Sequence, residues 1–177
     1  ETGSLLFDAD NDGDPDLYVV SGGYEFPTDS KEYQDQLYIN DGKGNYMKDE
    51  KALPVITSSG SCVKASDYDQ DGDLDLIVGG RQVPHQYPFP AQSYLLENKS
   101  EKGMVKFEDV TVKFAPELAK AGMVTDVFCA DIDRDSWPDL IVAGEWMPVC
   151  YYHNDHGKFS MTEIEGTKGW WFSMGGA

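Results

Sequence analysis

The sequence predicts an all-β fold in which one unit of four short antiparallel strands is used three times. Two observations carry this prediction. Asp-rich nonapeptides recur at 8–16, 67–75 and 131–139, at offsets of 59 and 64 residues, and a fixed spacing of this size marks internal repetition. Each nonapeptide is followed by a short apolar run ending in Gly: Leu17-Tyr18-Val19-Val20-Ser21-Gly22-Gly23, Leu74-Asp75-Leu76-Ile77-Val78-Gly79-Gly80 and Leu140-Ile141-Val142-Ala143-Gly144. Runs this short and this rich in β-branched residues read as buried strands, not helices.

The other elements repeat in the same order. A first strand precedes each nonapeptide: Leu5-Leu6-Phe7, Cys62-Val63-Lys64-Ala65 and Val127-Phe128-Cys129-Ala130. The Gly-ended runs are second strands. Third strands follow at Gln36–Asn40, Tyr94–Asn98 and Cys150–Asn154, and each enters a Gly-containing turn and a fourth strand around Tyr46, Phe107 or Phe159. Four antiparallel strands per repeat form the pattern of a β-propeller blade. Blades are therefore expected at 3–50, 60–114 and 123–165, within one partial propeller domain spanning 1–177. The segment Gly169-Trp170-Trp171-Phe172-Ser173-Met174-Gly175-Gly176-Ala177 reads as the first strand of a fourth blade. Propellers close with about four to eight blades. The chain is thus expected to need the remaining blades of a longer chain, or to self-associate through its apolar end faces.

The nonapeptides carry the chemistry. They hold 14 of the 32 acidic residues, in a chain of formal charge −18. Like charges so crowded are costly unless a cation neutralises them. Side chains at positions 1, 3 and 5 of a tight loop point at one centre, Gly at position 6 permits the bend, a backbone carbonyl at position 7 adds an oxygen, and Asp at position 9 closes the shell. Hard oxygen donors in that number suit Ca²⁺, whereas Zn²⁺ would call for His or Cys. An EF-hand does not fit, because position 12 is Val19, Val78 or Val142 instead of a bidentate Glu and no flanking helices are expected. Helix-flanked dockerin-like pairs fail for the same reason.

The nonapeptide, the strand that follows it and the hairpin Leu37-Tyr38-Ile39-Asn40-Asp41-Gly42-Lys43-Gly44-Asn45 together resemble the FG-GAP, or VCBS, repeats of integrin-α-like propellers. The likeness is strongest to bacterial VCBS-repeat surface and secreted proteins, and it spans almost the whole chain. It implies a seven-bladed ring with a calcium loop joining the first two strands of a blade. By that resemblance the calcium ligands are Asp8, Asp10, Asp12 and Asp16; Asp67, Asp69, Asp71 and Asp75; and Asp131, Asp133, Asp135 and Asp139. Asp14, Asp73 and Trp137 would add main-chain oxygens. Loop two, with Gly72 and five aspartates, is expected to bind most tightly. Loop three has one carboxylate fewer, and Ser136 stands where the bend favours Gly.

Other functional classes recede. With 14 Lys and Arg against 32 Asp and Glu, the chain would repel nucleic-acid phosphates and anionic membrane surfaces. No apolar run approaches the roughly 18 residues a spanning helix needs. Cys62, Cys129 and Cys150 sit in apolar runs and read as buried thiols, not a disulfide framework. His153-Asn154-Asp155-His156 has metal-compatible spacing but falls in a hairpin, where Asn-Asp is ordinary turn chemistry. Ser58-Ser59-Gly60-Ser61 lacks the second glycine of a nucleophile elbow. Asn98-Lys99-Ser100 is a glycosylation sequon.

The links between second and third strands lie at the opposite end from the acidic loops. They carry Tyr24, Phe26 and Tyr33 in blade one, Arg81, His85, Tyr87 and Phe89 in blade two, and Trp146 in blade three. Aromatics on such links either stack on a sugar or partner protein, or fold inward as local packing. The expected function is a non-catalytic, calcium-binding propeller module for binding or adhesion outside the cell or in its envelope (secreted, periplasmic or on the outer surface). Its ligand would be protein or carbohydrate. The alternative is the propeller part of a polysaccharide lyase or hydrolase, whose paired carboxylates would lie on the aromatic face or in blades beyond this segment.

Overall fold

In the computed structural model, which describes residues 1–101 and 103–167, the strands gather into three four-stranded antiparallel sheets. The first holds β1 (Gly3–Phe7), β2 (Asp16–Val20), β3 (Gln36–Asn40) and β4 (Tyr46–Asp49). The second holds β5 (Gly60–Ser66), β6 (Asp75–Gly80), β7 (Tyr94–Asn98) and β8 (Phe107–Asp109). The third holds β9 (Met123–Ala130), β10 (Asp139–Glu145), β11 (Cys150–Asp155) and β12 (Lys158–Glu163). Each sheet is a simple meander in chain order. The strand expected at 169–177, with Trp170, Trp171 and Phe172, lies outside the described residues.

Two apolar cores lie between the sheets, and their composition follows from the side-chain period of two. Leu76, Val78 and Leu96 of sheet two turn towards Tyr18, Val20 and Leu37 of sheet one. Their neighbours Ile77 and Leu95 turn the other way, into a core with Leu140, Val142 and Tyr152 of sheet three. A sheet covered on both faces explains why β6 is buried along its whole length and reads as a continuous apolar run without alternation. The first strands come together: β5 lies beside both β1 and β9, and Ser61 Oγ on β5 donates to Val124 O at 2.6 Å.

The fourth strand of sheet two, expected around Phe107, ends at Asp109, and the chain then turns into a short helix, α1 (Thr111–Phe114). The cause is local, since Asp109 Oδ1 accepts from both the Thr111 amide at 3.0 Å and its hydroxyl at 2.5 Å, turning the chain out of the strand. Of the three free thiols, Cys150 alone is fully buried, while Cys62 and Cys129 are half-covered. No helix among the described residues is long and apolar enough to cross a membrane.

Candidate metal centres

The meander places the β1–β2, β5–β6 and β9–β10 connections, which are the three acidic loops, at one end of the sheets. Each is shaped by its own carboxylates. Asp8 accepts from the amides of Asp12 and Gly13 at 3.2 and 2.9 Å, Asp67 from Gly72 at 3.2 Å, and Asp131 from Arg134, Asp135 and Ser136 at 2.7, 3.1 and 3.0 Å. The bend needs a left-handed residue at position 6. Gly13 and Gly72 supply it at φ 93° and 99°, and Ser136 is held there at φ 80°, a conformation costly for a side chain with a Cβ.

Carboxylate oxygens converge in each loop to within 4.8 Å of one another: Asp8, Asp10 and Asp16 in loop one, Asp67, Asp69 and Asp71 in loop two, and Asp131, Asp133 and Asp135 in loop three. These trios could hold a cation. Asp12 stands outside the first trio, its Oδ1 accepting the Asp14 amide at 2.9 Å. Asp10 Oδ1 and Asp67 Oδ1 are buried without a hydrogen-bond partner, a condition seldom tolerated unless an ion or water completes the shell. Burial, then repulsion from Asp12 and Asp16, raises the Asp10 carboxyl above its ordinary value. Burial, then repulsion from Asp71, does the same at Asp69.

The position-9 aspartates, of which Asp16 belongs to the loop-one trio and Asp75 stands outside the loop-two trio, also carry structural bonds. Asp16, Asp75 and Asp139 are almost wholly buried and splice loop to sheet. One oxygen of each accepts from the loop amide of Ala9, Tyr68 or Ile132 at 2.8, 3.2 and 3.1 Å. The other accepts from the third-strand amide of Asn40, Asn98 or Asn154, at 2.8 Å in every case. Burial pushes Asp75 up to about 8, and it also raises Asp16. In loop three, His153 Nδ1 approaches Asp133 Oδ2 at 3.2 Å and Asp139 Oδ1 at 3.4 Å, and the three form a further ligand-capable group. His156 is elsewhere, beside Asp155 and against the Trp137 ring at 4.8 Å.

The loops also interlock, which the sequence analysis missed. The position-4 side chain Asn11 donates through Nδ2 to Asp73 Oδ1 of the next loop. One repeat further on, Gln70 Nε2 donates to Ser136 O at 2.7 Å. A second tie runs through the asparagine ending each third strand. Asn98 Nδ2 donates to Ala9 O at 3.1 Å, and Asn154 Nδ2 to Tyr68 O at 2.8 Å, both on the preceding sheet's loop. The signal was present in the sequence as Asn at one fixed place in every repeat.

At the opposite end, the links bring Tyr24, Phe26, Tyr87, Phe89 and Trp146 to the surface. Tyr24 meets His85 edge-on with ring centroids 4.5 Å apart, and Trp146 Nε1 donates to Tyr87 OH at 2.6 Å. Arg81 ties sheet two to sheet three through buried Glu145 at 2.7 Å. Tyr33 is a correction to the expected ligand surface. It is 1% exposed, because its hydroxyl is enclosed by the Phe26 backbone, donating to the carbonyl at 2.9 Å and accepting from the amide at 3.0 Å.

A four-stranded sheet repeated in chain order, each with an aspartate loop between its first two strands, defines an all-β repeat protein with acidic loops at one end. Within that class, residues 8–78 match the family described as FG-GAP-like repeat, so the chain carries an FG-GAP-like repeat over loops one and two. No curated protein matches the chain.

Proposed function

We propose that the chain is a calcium-stabilised set of blades from a β-propeller of the VCBS-repeat kind, acting as a non-catalytic binding module in an extracellular or cell-envelope setting. The observation that carries this reading is the pair of buried, unpartnered carboxylate oxygens in loops one and two, Asp10 Oδ1 and Asp67 Oδ1, each belonging to a converging trio. An all-oxygen donor set on a Gly-bent loop suits Ca²⁺, and Mg²⁺ would fit poorly because it demands a strict octahedral shell. Asp8, Asp10 and Asp16 would hold the ion in loop one, and Asp67, Asp69 and Asp71 in loop two. Its contribution is charge neutralisation and loop ordering. Loops of this kind in extracellular modules bind at roughly 10⁻⁴–10⁻³ M, which agrees with the extracellular setting that the FG-GAP-like repeat suggests.

The test is thermal melting in millimolar calcium, in chelator and in magnesium. With loops one and two each bound at roughly 10⁻⁴–10⁻³ M, about 1 mM calcium taken up only by the native state adds about 1–3 kcal/mol in total. For a domain of this size that is several degrees. Equal melting temperatures in calcium and chelator would overturn the calcium assignment. The exposed aromatics of the link surface, Tyr24, Tyr87, Phe89 and Trp146, are the proposed contact for a carbohydrate or protein ligand. A polysaccharide panel scored for both retention and cleavage tests this, and cleavage would replace the binding role with an enzymatic one.

A further inference from the structure

The residues at position 4 of the first two acidic loops stand in the left-handed region, Asn11 at φ 58° and Gln70 at φ 61°. A residue with a Cβ takes that backbone seldom, so the bend that imposes it also fixes where the side chain reaches. Both side chains leave their own loop for the next. Asn11 stands between Asp10 of the loop-one trio and Asp12, and its Nδ2 donates to Asp73 Oδ1 of loop two. The Asp73 amide donates in turn to Asp71 Oδ1 at 3.0 Å, and Asp71 belongs to the loop-two trio. Gln70 stands between Asp69 and Asp71, and its Nε2 donates to Ser136 O of loop three at 2.7 Å. The Ser136 amide donates to Asp131 Oδ2 at 3.0 Å, and Asp131 belongs to the loop-three trio. The same relay is thus built twice: a side chain beside the carboxylates of one loop holds a residue whose own amide holds a carboxylate of the next.

We propose that Asn11 is a positioning residue that couples the first two loops, so that a divalent cation held in loop one raises the affinity of loop two for another. Crowded carboxylates work against the bend of an ion-free loop. Once neutralised, Asp8, Asp10 and Asp16 keep loop one closed, which keeps Asn11 left-handed and its donor on Asp73. Asp73 then keeps its amide on Asp71, and loop two closes with part of its ordering already done. Such coupling is reciprocal, so loop two favours loop one by the same factor. Direct charge acts the other way, because a filled loop attracts the next cation less. That opposing effect is damped at about 0.15 M salt, where the screening length is about 8 Å, and a neutral replacement of Asn11 leaves it unchanged. The inference rests on the calcium reading of the proposed function.

The test is a calcium titration at about 0.15 M salt, followed in amide NMR spectra at one reporter per loop. The reporters are Gly13, whose amide is bonded to Asp8 Oδ2 at 2.9 Å, and Gly72, bonded to Asp67 Oδ2 at 3.2 Å. Asp10→Asn disables loop one, and Asn11→Gly drops the relay donor while suiting the left-handed bend. With Asn11 in place, Asp10→Asn should move the Gly72 midpoint to higher calcium by about 2–10-fold more than it does in the Asn11→Gly background, the worth of one side-chain hydrogen bond. By reciprocity, Asp69→Asn should move the Gly13 midpoint by the same excess factor. A merely stabilising role for Asn11 would lower the melting temperature and leave the Gly72 response to Asp10→Asn the same in both backgrounds. The proposal is overturned if that response is equal with and without Asn11, or if Gly72 ignores Asp10→Asn altogether. No calcium response at either glycine would end the calcium reading and this inference together, whereas two loops that fill independently would end the inference alone.

Discussion

Replacing Asn98 with Ala removes one side chain that joins two sheets and a loop. Asn98 is 2% exposed. Its amide nitrogen donates to Ala9 O and Leu74 O, and its carbonyl accepts from the Ser100 amide at 2.9 Å. Each such bond is worth about 0.5–1.5 kcal/mol net, and a buried group left unsatisfied costs more. Ala9 O keeps a second donor in Ser100 Oγ at 3.2 Å, so Leu74 O is the acceptor left most exposed to loss. The expected destabilisation is about 2–4 kcal/mol, or roughly 4–16 °C at about 2–4 °C per kcal/mol for a domain of this size. Asn40→Ala is the internal control, because Asn40 makes the Pro15 and Gly42 bonds but, among the described residues, no cross-sheet bond. It should cost about 1 kcal/mol less. Urea titrations at submicromolar protein, with the denaturant slope checked for constancy, read both values. Equal losses for the two variants would refute the claim that asparagine ties neighbouring sheets.

Three further outcomes follow from the loops and the core. Ser136→Gly should raise the melting temperature by a few degrees, since relief of about 1–2 kcal/mol of left-handed strain exceeds the roughly 0.4–1 kcal/mol of added chain entropy. Gly72→Ser should lower it. In chelator, Asp10→Asn should leave the protein as stable as the parent or more so, because it removes a buried charge facing Asp12 and Asp16; in calcium the variant should lose part of the calcium-induced rise seen by calorimetry. Asp35 sits 3% exposed beneath the links, accepting from Tyr18 OH and the Ser21 amide at 2.7 Å each, and burial pushes it from 3.8 up to about 7. A carboxyl raised in the folded state stabilises most below its unfolded value and loses that contribution as pH rises to about 7, on the order of 4 kcal/mol. Asp35→Asn should therefore flatten the stability profile between pH 4 and 7 and gain on the parent at pH 8, as measured by denaturation across that range.

The sheets and acidic loops were legible in the sequence because each is written three times in a fixed order, and chance rarely repeats a nonapeptide together with its flanks. The continuous apolar run of β6 announced a sheet covered on both faces. What stayed hidden depends on contacts between repeats. Nothing in Asn11 or Gln70 by itself says that a position-4 side chain reaches the next loop, and His153 reads as part of a hairpin until the fold brings it to Asp133 and Asp139. Tyr33 shares its link with Tyr24 and Phe26, and pattern cannot separate the ring that turns inward from those that stay out. The α1 turn rests on one Asp109–Thr111 pairing, too local a signal to stand out in the sequence.

The placement of loops and links at opposite ends gives the molecule a directional charge. The aspartate loops concentrate negative charge at one pole, while the exposed rings of Tyr24, Tyr87, Phe89 and Trp146 stand at the other. Such a separation is a permanent dipole, and it acts before any contact is made. A negatively charged surface would therefore repel the loop end more strongly than the aromatic end. Divalent cations filling the loops would shrink both that dipole and the net charge of −18, so in calcium the two ends would be less distinct to any charged body nearby, even while the fold becomes firmer.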